Sequence, residues 1–160
     1  MPETLDRIDF EILSALQKEG RLSNKELADQ VGLAPSTCLQ RVRQLEESGV
    51  LRGSHAEVDA SALGIRMQAL IAVQLQKHSR ELVERFREDA LALPEVIASF
   101  HIAGEYDFLL HVAVADADHL RDFALDNLTT RPEIDQLETW LIFEHAERRP
   151  LPVLVDNGGE

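Results

Sequence analysis

The sequence predicts an α+β protein in which a helical region precedes an antiparallel sheet covered by helices. Apolar residues make up 44% of the 160 residues, which is enough to form a hydrophobic core. Their spacing is helical over roughly the first third of the chain and alternates with period two in several later segments. In the later part strand, helix and strand follow one another twice, an order typical of a ferredoxin-like βαββαβ sandwich.

Two short helices are predicted at the start of the chain. Asp6 is a suitable N-cap for the first, whose apolar side chains fall on one face, and Gly20 is expected to end it. Ser23 and Glu26 form a capping box, because the serine oxygen and the glutamate three residues later each accept a free amide. A second helix is therefore predicted to follow Ser23.

A third helix is predicted over residues 35–47. Gly32 permits a sharp turn before it, and Pro35 suits the first helical position, where its missing N–H costs nothing. The apolar face is expected to contain Cys38, Leu39, Val42 and Leu45. Two short helices joined by a glycine turn indicate a helix-turn-helix, and residues 50–59, which follow with strand-like spacing, indicate a small wing or strand.

The spacing then changes to that of a sheet. Strands are predicted over 67–76, 96–103, 108–115 and 134–145, and helices over 79–93 and 118–129. One face of such a sheet stays open unless a partner subunit covers it. We therefore expect a winged helix-turn-helix domain over 1–59, a hinge over 60–66, a ferredoxin-like domain over 67–148, which forms oligomers, and a tail over 149–160.

Charge is distributed unevenly along this acidic chain, whose formal net charge is −13. Residues 1–53 carry seven Lys and Arg against nine Asp and Glu, whereas residues 54–160 carry nine against twenty. The overall balance argues against non-specific nucleic-acid binding, because phosphates repel an acidic surface. No acidic residue lies between Asp29 and Glu46, so the third helix up to Leu45 is the exception.

The polar face of this acid-free helix has the side chains that read a major groove. Arg forks onto guanine, Gln pairs with adenine, and Ser or Thr binds phosphate or a base edge. A solvated polar face is the alternative, but the preceding capped helix and glycine turn favour binding to double-stranded DNA. The candidate DNA-binding residues are Ser36, Thr37, Gln40, Arg41, Arg43 and Gln44.

Other classes of protein receive little support. The single cysteine, Cys38, excludes an internal disulfide, and no apolar run approaches the ~20 residues of a membrane span. The first residues lack the features of a signal peptide, so a cytoplasmic protein without membrane contact is expected. The six histidines form no pair of zinc-binding spacing on a helix, so no metal site is predicted, although His101 and His111 are expected on adjacent strands, where they could approach each other.

Three stretches, "LDRIDFEILSALQKEGRLSNKELADQVGLAPSTCLQRVRQLEESGVLRGSHAEVDASALG", "IAGEYDFLLHV" and "RRPLPV", are distributed along almost the whole chain. In these stretches the chain resembles the Lrp/AsnC, or feast/famine, transcriptional regulators. This resemblance implies a winged helix-turn-helix joined to a domain that senses a small-molecule effector, an amino acid or a related metabolite, with no other cofactor. It also implies a homodimer that associates further, for example into an octamer. Ala34 and Thr37 depart from the serine and proline that the family often has there.

The same resemblance places the effector at the turn "GEYD". Gly104 would let backbone amides face a carboxylate, Glu105 or Asp107 would accept an amino group, and Tyr106 would form a wall. Ala103 replaces a threonine that is common in the family, and His101 is expected to reach the pocket instead. The candidate effector-binding residues are His101, Ala103, Gly104, Glu105, Tyr106, Asp107, Thr139 and Trp140.

Two alternatives to a regulator remain at this point. Some proteins similar to the Lrp family resemble haem-pathway decarboxylases, and a ligand-binding assembly protein without DNA binding would have the same sheet. The sequence shows no pairing of a nucleophile with a general base and no cofactor-binding loop, so a non-enzymatic protein is expected.

Overall fold

The computed structural model describes residues 5–77 and 79–155, which divide into two compact units. The first unit contains the chain up to Glu57 together with the segment from Ala146 onward, and the second is Val58–His145. The ends of the expected first domain and tail, 1–4 and 156–160, and His78 lie outside the described residues. Among the described helices, none has the length and apolar character needed to cross a membrane.

The first unit contains three helices. They are α1 (Arg7–Lys18), α2 (Asn24–Val31) and α3 (Pro35–Glu47). Both predicted N-caps are confirmed: Asp6 forms a capping box with Asp9, and Ser23 forms one with Glu26. Gly32 ends α2 in the left-handed conformation, with φ 68°, so the turn into α3 is the one that the sequence predicts.

A small apolar core joins these helices. Its fully buried members come from all three: Ile12, Leu27, Ala28, Val31, Cys38 and Leu45. Leu39, expected on the same face of α3, is instead 40% exposed. At 100° per residue it lies 100° from Cys38, whereas Val42 and Leu45 lie within about 40°.

The predicted wing, residues 50–59, contains no strand. It is an extended, largely exposed segment, and Ser54 contacts the backbone near the end of α1. A Cβ added to Gly20 would meet Ser54 Oγ at 3.0 Å, so the glycine allows this close approach. The helix itself ends at Lys18, slightly before Gly20.

The second unit is a four-stranded antiparallel sheet with two helices. A 3₁₀ turn (Ala60–Leu63) precedes the elements β1 (Met67–Leu75), α4 (Arg80–Leu91), β2 (Val96–His101), β3 (Phe108–Val114), α5 (Ala117–Ala124) and β4 (Ile134–Ile142). The strand order is β2-β3-β1-β4. This order confirms the predicted ferredoxin-like sandwich.

The helices cover one face of the sheet. Alternate residues of β1 and β3 pack there against α4 and α5, and the rings of Phe86 and Phe108 lie 5.0 Å apart. The opposite face, which we call the open face, carries Leu70 and Ala72 in the middle of the sheet. At its edges lie Phe100 and Trp140, which are 51% and 39% exposed.

Several elements end earlier than predicted. The last rung of β2 pairs His101 with Phe108, and the last rung of β4 pairs Ile142 with Gln68. No further residue pairs of these ladders follow within the described part of the chain, so the strands stop there despite suitable side chains. Helix α5, predicted over 118–129, is regular only to Ala124 and continues as a π-helical turn over Leu125–Thr129.

The described part of the tail belongs to the first unit. Leu151 donates its backbone N–H to Gln17 Oε1 of α1 at 2.9 Å. Residues 150–155 and α1 together line a shallow cavity of about 280 Å³.

Candidate DNA interface and effector site

The candidate DNA-binding residues of α3 fall into two groups. Five of the six side chains are exposed on the polar side of the helix: Ser36, Thr37, Gln40, Arg43 and Gln44. Cys38 and Leu45 hold the other side of α3 in the core. The helix therefore presents hydroxyl, amide and guanidinium donors to solvent from one face.

Arg41 differs from the other five, because its side chain turns toward α1. Its Nη1 lies 2.8 Å from Asp6 Oδ2 and 2.8 Å from Asp9 Oδ1. The hydrogen bonds to Asp9 and Asp6 raise the pKa of Arg41, so it stays charged. Sequence spacing placed Arg41 at the flank of the polar face, but its two acidic partners come from another helix.

The first turn of α3 has no side-chain cap. Ala34 occupies the N-cap with extended backbone and provides no acceptor for the first amides, while Pro35 begins the helix. Asn24 of α2 donates from Nδ2 to the carbonyl oxygen of Pro35 at 2.8 Å. This hydrogen bond ties α2 to α3 where the missing serine cap weakens the helix.

The turn "GEYD" is joined firmly to β1. Its ends close through a hydrogen bond from the Ile102 N–H to the Asp107 carbonyl, at 2.9 Å. Asp107 also donates its own N–H to the Val73 carbonyl and accepts the Leu75 N–H on Oδ2 at 2.7 Å. Gly104 has φ 153°, a conformation that a residue with a side chain rarely adopts. One carboxylate oxygen of Asp107 thus serves to hold the turn in place.

Tyr106 connects the turn to β4. Its hydroxyl donates to Glu138 Oε2 at 2.7 Å, and its ring meets the ring of Trp140 edge to face, with centroids 6.1 Å apart. Hydrogen bonds from Tyr106 and then Trp140 lower the pKa of Glu138, and the same carboxylate raises the pKa of Tyr106. We call Tyr106, Glu138 and Trp140 the aromatic–carboxylate cluster.

The remaining candidate effector residues do not all join this cluster. His101 pairs with Phe108 and Thr139 pairs with Ile71, and both partners face the helices. His101 and Thr139 therefore lie on the face opposite to Trp140, because neighbouring residues of a strand alternate in direction. Ala103, Gly104 and Glu105 are exposed in the turn.

Sequence reasoning missed Glu138. An acidic residue in an edge strand is unremarkable by itself, and its importance follows from the register that pairs Ala72 with Glu138 and Leu70 with Trp140. The available signal was the alternation Glu138–Thr139–Trp140, which places Glu138 on the same face as Trp140.

The expected approach of His101 to His111 is wrong. The register pairs His111 with Ala98 and His101 with Phe108, which separates the histidines by three positions and places them on opposite faces. His111 instead contacts Gln68 Oε1 at 2.8 Å through Nε2, and its ring lies 5.8 Å from that of His145. Within residues 5–77 and 79–155, no three His, Cys, Asp or Glu side chains are grouped closely enough to hold a metal ion.

Comparison with known proteins relates both units to established families. Residues 5–52 match a winged helix-turn-helix DNA-binding domain, and residues 68–152, more than half of the chain, match the Lrp/AsnC ligand binding domain. The chain belongs to the Lrp/AsnC family. This Lrp/AsnC protein is a DNA-binding transcriptional regulator with a ligand-binding domain, which confirms the predicted family and class of function.

Similar Lrp/AsnC proteins cover nearly the same length. The HTH-type transcriptional regulator AldR of Mycolicibacterium smegmatis is 43% identical over 141 residues, 88% of this chain and 82% of that protein. The leucine-responsive regulatory protein of Rhizobium meliloti is 39% identical over 143 residues, 89% and 92% of the two chains. A transcriptional regulator from Neisseria meningitidis, solved in complex with L-Met, is 33% identical, with a TM-score of 0.86. The match covers 93% of this chain and 97% of that chain.

Proposed function

We propose that this regulator binds operator DNA through the exposed polar face of α3 and that an amino acid or related metabolite modulates its binding or assembly. One observation carries the proposal: five donor side chains point outward from the part of α3 before Glu46, which contains no acidic residue, in a chain whose formal net charge is −13. A duplex is repelled by most of such a chain and can approach it at this face.

The effector site of the proposal is the aromatic–carboxylate cluster together with the turn at Gly104. The sequence assigned the amino group of an effector to Glu105 or Asp107. Asp107 Oδ2 accepts the Leu75 N–H and so holds the turn to β1, whereas Glu138 lies on the open face, where its carboxylate accepts the Tyr106 hydroxyl beside Trp140. Carboxylate and aromatic groups both attract an ammonium group, so Glu138 is the better partner. The similar regulator from Neisseria meningitidis was solved in complex with L-Met, which supports an amino acid as the ligand.

The proposed assembly is a homodimer that pairs through the open face and associates into larger oligomers. Phe100 and Trp140 are exposed there beside half-buried Leu70 and Leu109. Covering these apolar side chains with a second copy removes them from water. The effector then acts through its different affinities for the alternative assemblies.

The full-length protein should retain specific duplexes from a pool of its genomic fragments. We expect the retained set, or the amount retained, to change when individual amino acids are added. Recovery of a random sample of fragments under every condition would contradict the proposal. It would favour the alternatives that the sequence left open, a ligand-binding assembly protein without DNA binding or an enzyme of the haem-pathway decarboxylase type.

A further inference from the structure

One nitrogen of Arg41 is held by two carboxylates from the first turn of α1. Nη1 lies 2.8 Å from an oxygen of Asp6 and 2.8 Å from an oxygen of Asp9. These residues are 35 and 32 positions away in the sequence, so the contact joins two helices and not two turns of one. We call Asp6, Asp9 and Arg41 the α1–α3 clamp.

The two carboxylates of the clamp are also held by hydrogen bonds that do not involve Arg41. Asp6 Oδ1 accepts the Asp9 N–H at 2.9 Å, and Asp9 Oδ2 accepts the Asp6 N–H at 3.0 Å. Each carboxylate therefore uses one oxygen for the capping box and the other for Arg41. A preorganised acceptor pair loses little side-chain entropy when the guanidinium binds, unlike an ordinary surface ion pair.

Arg41 is less exposed than Arg43, the other arginine of the polar face of α3, and of the two only Arg41 is paired with carboxylates of described residues. The Asp9 side chain is 15% exposed and the Arg41 side chain 30%, whereas Arg43 is exposed and forms no ion pair within residues 5–77 and 79–155. The Asp9 amide and then Arg41 lower the pKa of Asp6. Asp6 therefore stays ionised at neutral pH and offers Arg41 a full negative charge.

We propose that Arg41 is a positioning residue for DNA recognition. It fixes α3 against the first turn of α1 and compensates two carboxylates beside the proposed DNA-binding face, which leaves base and phosphate contacts to the exposed side chains. This inference rests on the proposed function, because it concerns how α3 is held for binding DNA. It replaces the sequence-based expectation that Arg41 itself contacts DNA.

A positioning role and a base-reading role for Arg41 predict different changes in DNA binding when the side chain is removed. Removing an arginine that forks onto a guanine relaxes discrimination at one base pair. Removing the clamp instead weakens all duplexes alike, because the helix is less fixed and two uncompensated carboxylates repel phosphate. Asn at position 9 removes one of these charges while its side-chain oxygen still accepts the cap hydrogen bond.

The DNA experiment uses the full-length protein and one probe set. The probe is the duplex that the wild-type protein enriches from a random-sequence library, with a panel of its single base-pair variants. Arg41→Ala should bind every duplex about ten-fold more weakly without changing their ranking, and Asp9→Asn should restore part of that loss. Arg41→Lys should recover most binding, because one nitrogen makes both contacts in the clamp.

Arg43→Ala is the matched control, because it removes an exposed guanidinium from the same helix. The DNA affinity lost in Arg43→Ala should be the same whether or not Asp9→Asn is also present. The inference is overturned if Arg41→Ala loses discrimination at one base pair only, or if Arg41→Lys binds no better than Arg41→Ala.

A measurement without DNA separates this inference from the proposed function. Amide hydrogen exchange in α1 and α3 should accelerate in Arg41→Ala and stay at the wild-type rate in Arg43→Ala and Arg41→Lys. Unchanged exchange in Arg41→Ala overturns the clamp. A wild-type protein that enriches no duplex contradicts the proposed function, while accelerated exchange in the same preparation still supports the clamp.

Discussion

Glu138 illustrates how one side chain gives an exposed surface its chemistry. Its carboxylate accepts the Tyr106 hydroxyl at 2.7 Å and lies beside Trp140, and these hydrogen bonds lower its pKa. The carboxylate therefore stays ionised well below neutral pH. A negative charge flanked by aromatic groups suits an ammonium group, which gains both an ion pair and contact with the rings.

Glu138→Gln should weaken amino-acid binding while leaving the fold intact. The amide keeps the size of the side chain and an acceptor for Tyr106, but it lacks the charge that attracts an amine, so we expect about ten-fold lower affinity. Trp140 is the single tryptophan of the chain, so its fluorescence reports binding during titration with each amino acid. Asp135→Asn, at an exposed acid of the same strand, should bind like the wild type. Equal affinity of Glu138→Gln and wild type would remove Glu138 from the site.

Local rules predicted the residues that act within a few positions of themselves. Asp6, Ser23 and Pro35 have the expected roles, because caps and first-turn positions depend on neighbouring amides. The partners of Arg41 and Glu138 were not predictable in this way. Asp9 to Arg41 and Tyr106 to Glu138 each span 32 positions, so helix packing and strand register decide these contacts.

At the scale of elements, the strand pair β1–β3 contains a histidine, His111, whose protonation affects stability. His111 on β3 contacts Gln68 of β1, and its ring lies 5.8 Å from that of His145. Burial, and then the charge of His145, lower the pKa of His111 below its ordinary value of 6.5. In the interval between the folded pKa and 6.5, the unfolded chain binds more protons, so stability must fall as the pH falls.

His111→Gln should reduce this dependence on pH. Above the unfolded value both states have a neutral imidazole, so the histidine adds no slope there; as the pH falls through 6.5, the wild type should lose stability more steeply than the variant. Urea unfolding at successive pH values, followed by Trp140 fluorescence, measures this in the second unit. His55→Gln changes a histidine of the first unit, outside the unit that Trp140 reports, and serves as the control variant. Identical slopes for His111→Gln and wild type would contradict the prediction.

The types and order of the elements were predictable, whereas their ends were less so. Alternating apolar residues identified β1 correctly, because one face of that strand is buried under the helices. β2 and β4 end where their register pairs with the neighbouring strand end, which no property of their own side chains reveals. The wing lacks a strand because residues 50–59 have no pairing partner among the described residues.

At the scale of the molecule, the open face is the part of the sheet that the chain itself leaves uncovered. α4 and α5 both pack on the other face, against Phe108 and its neighbours. The open face therefore keeps exposed aromatic residues at both edges, Phe100 and Trp140. A sheet of this kind is stable with one face in water, but a group of exposed apolar side chains on such a face is typical of subunit contacts.

Phe100→Lys should therefore convert the proposed oligomer into smaller species. Phe100 is 51% exposed in the single chain, so a lysine at this position disturbs the fold little. Burying its unpaired charge between two subunits, however, costs about 3 kcal/mol or more. Leu91→Lys is the matched control, since Leu91 is 50% exposed on α4 and lies outside the open face. Light scattering after size-exclusion chromatography should show the wild-type mass for Leu91→Lys and a lower mass for Phe100→Lys. A wild-type monomer, or equal masses for both variants, would show that subunits do not pair through this face.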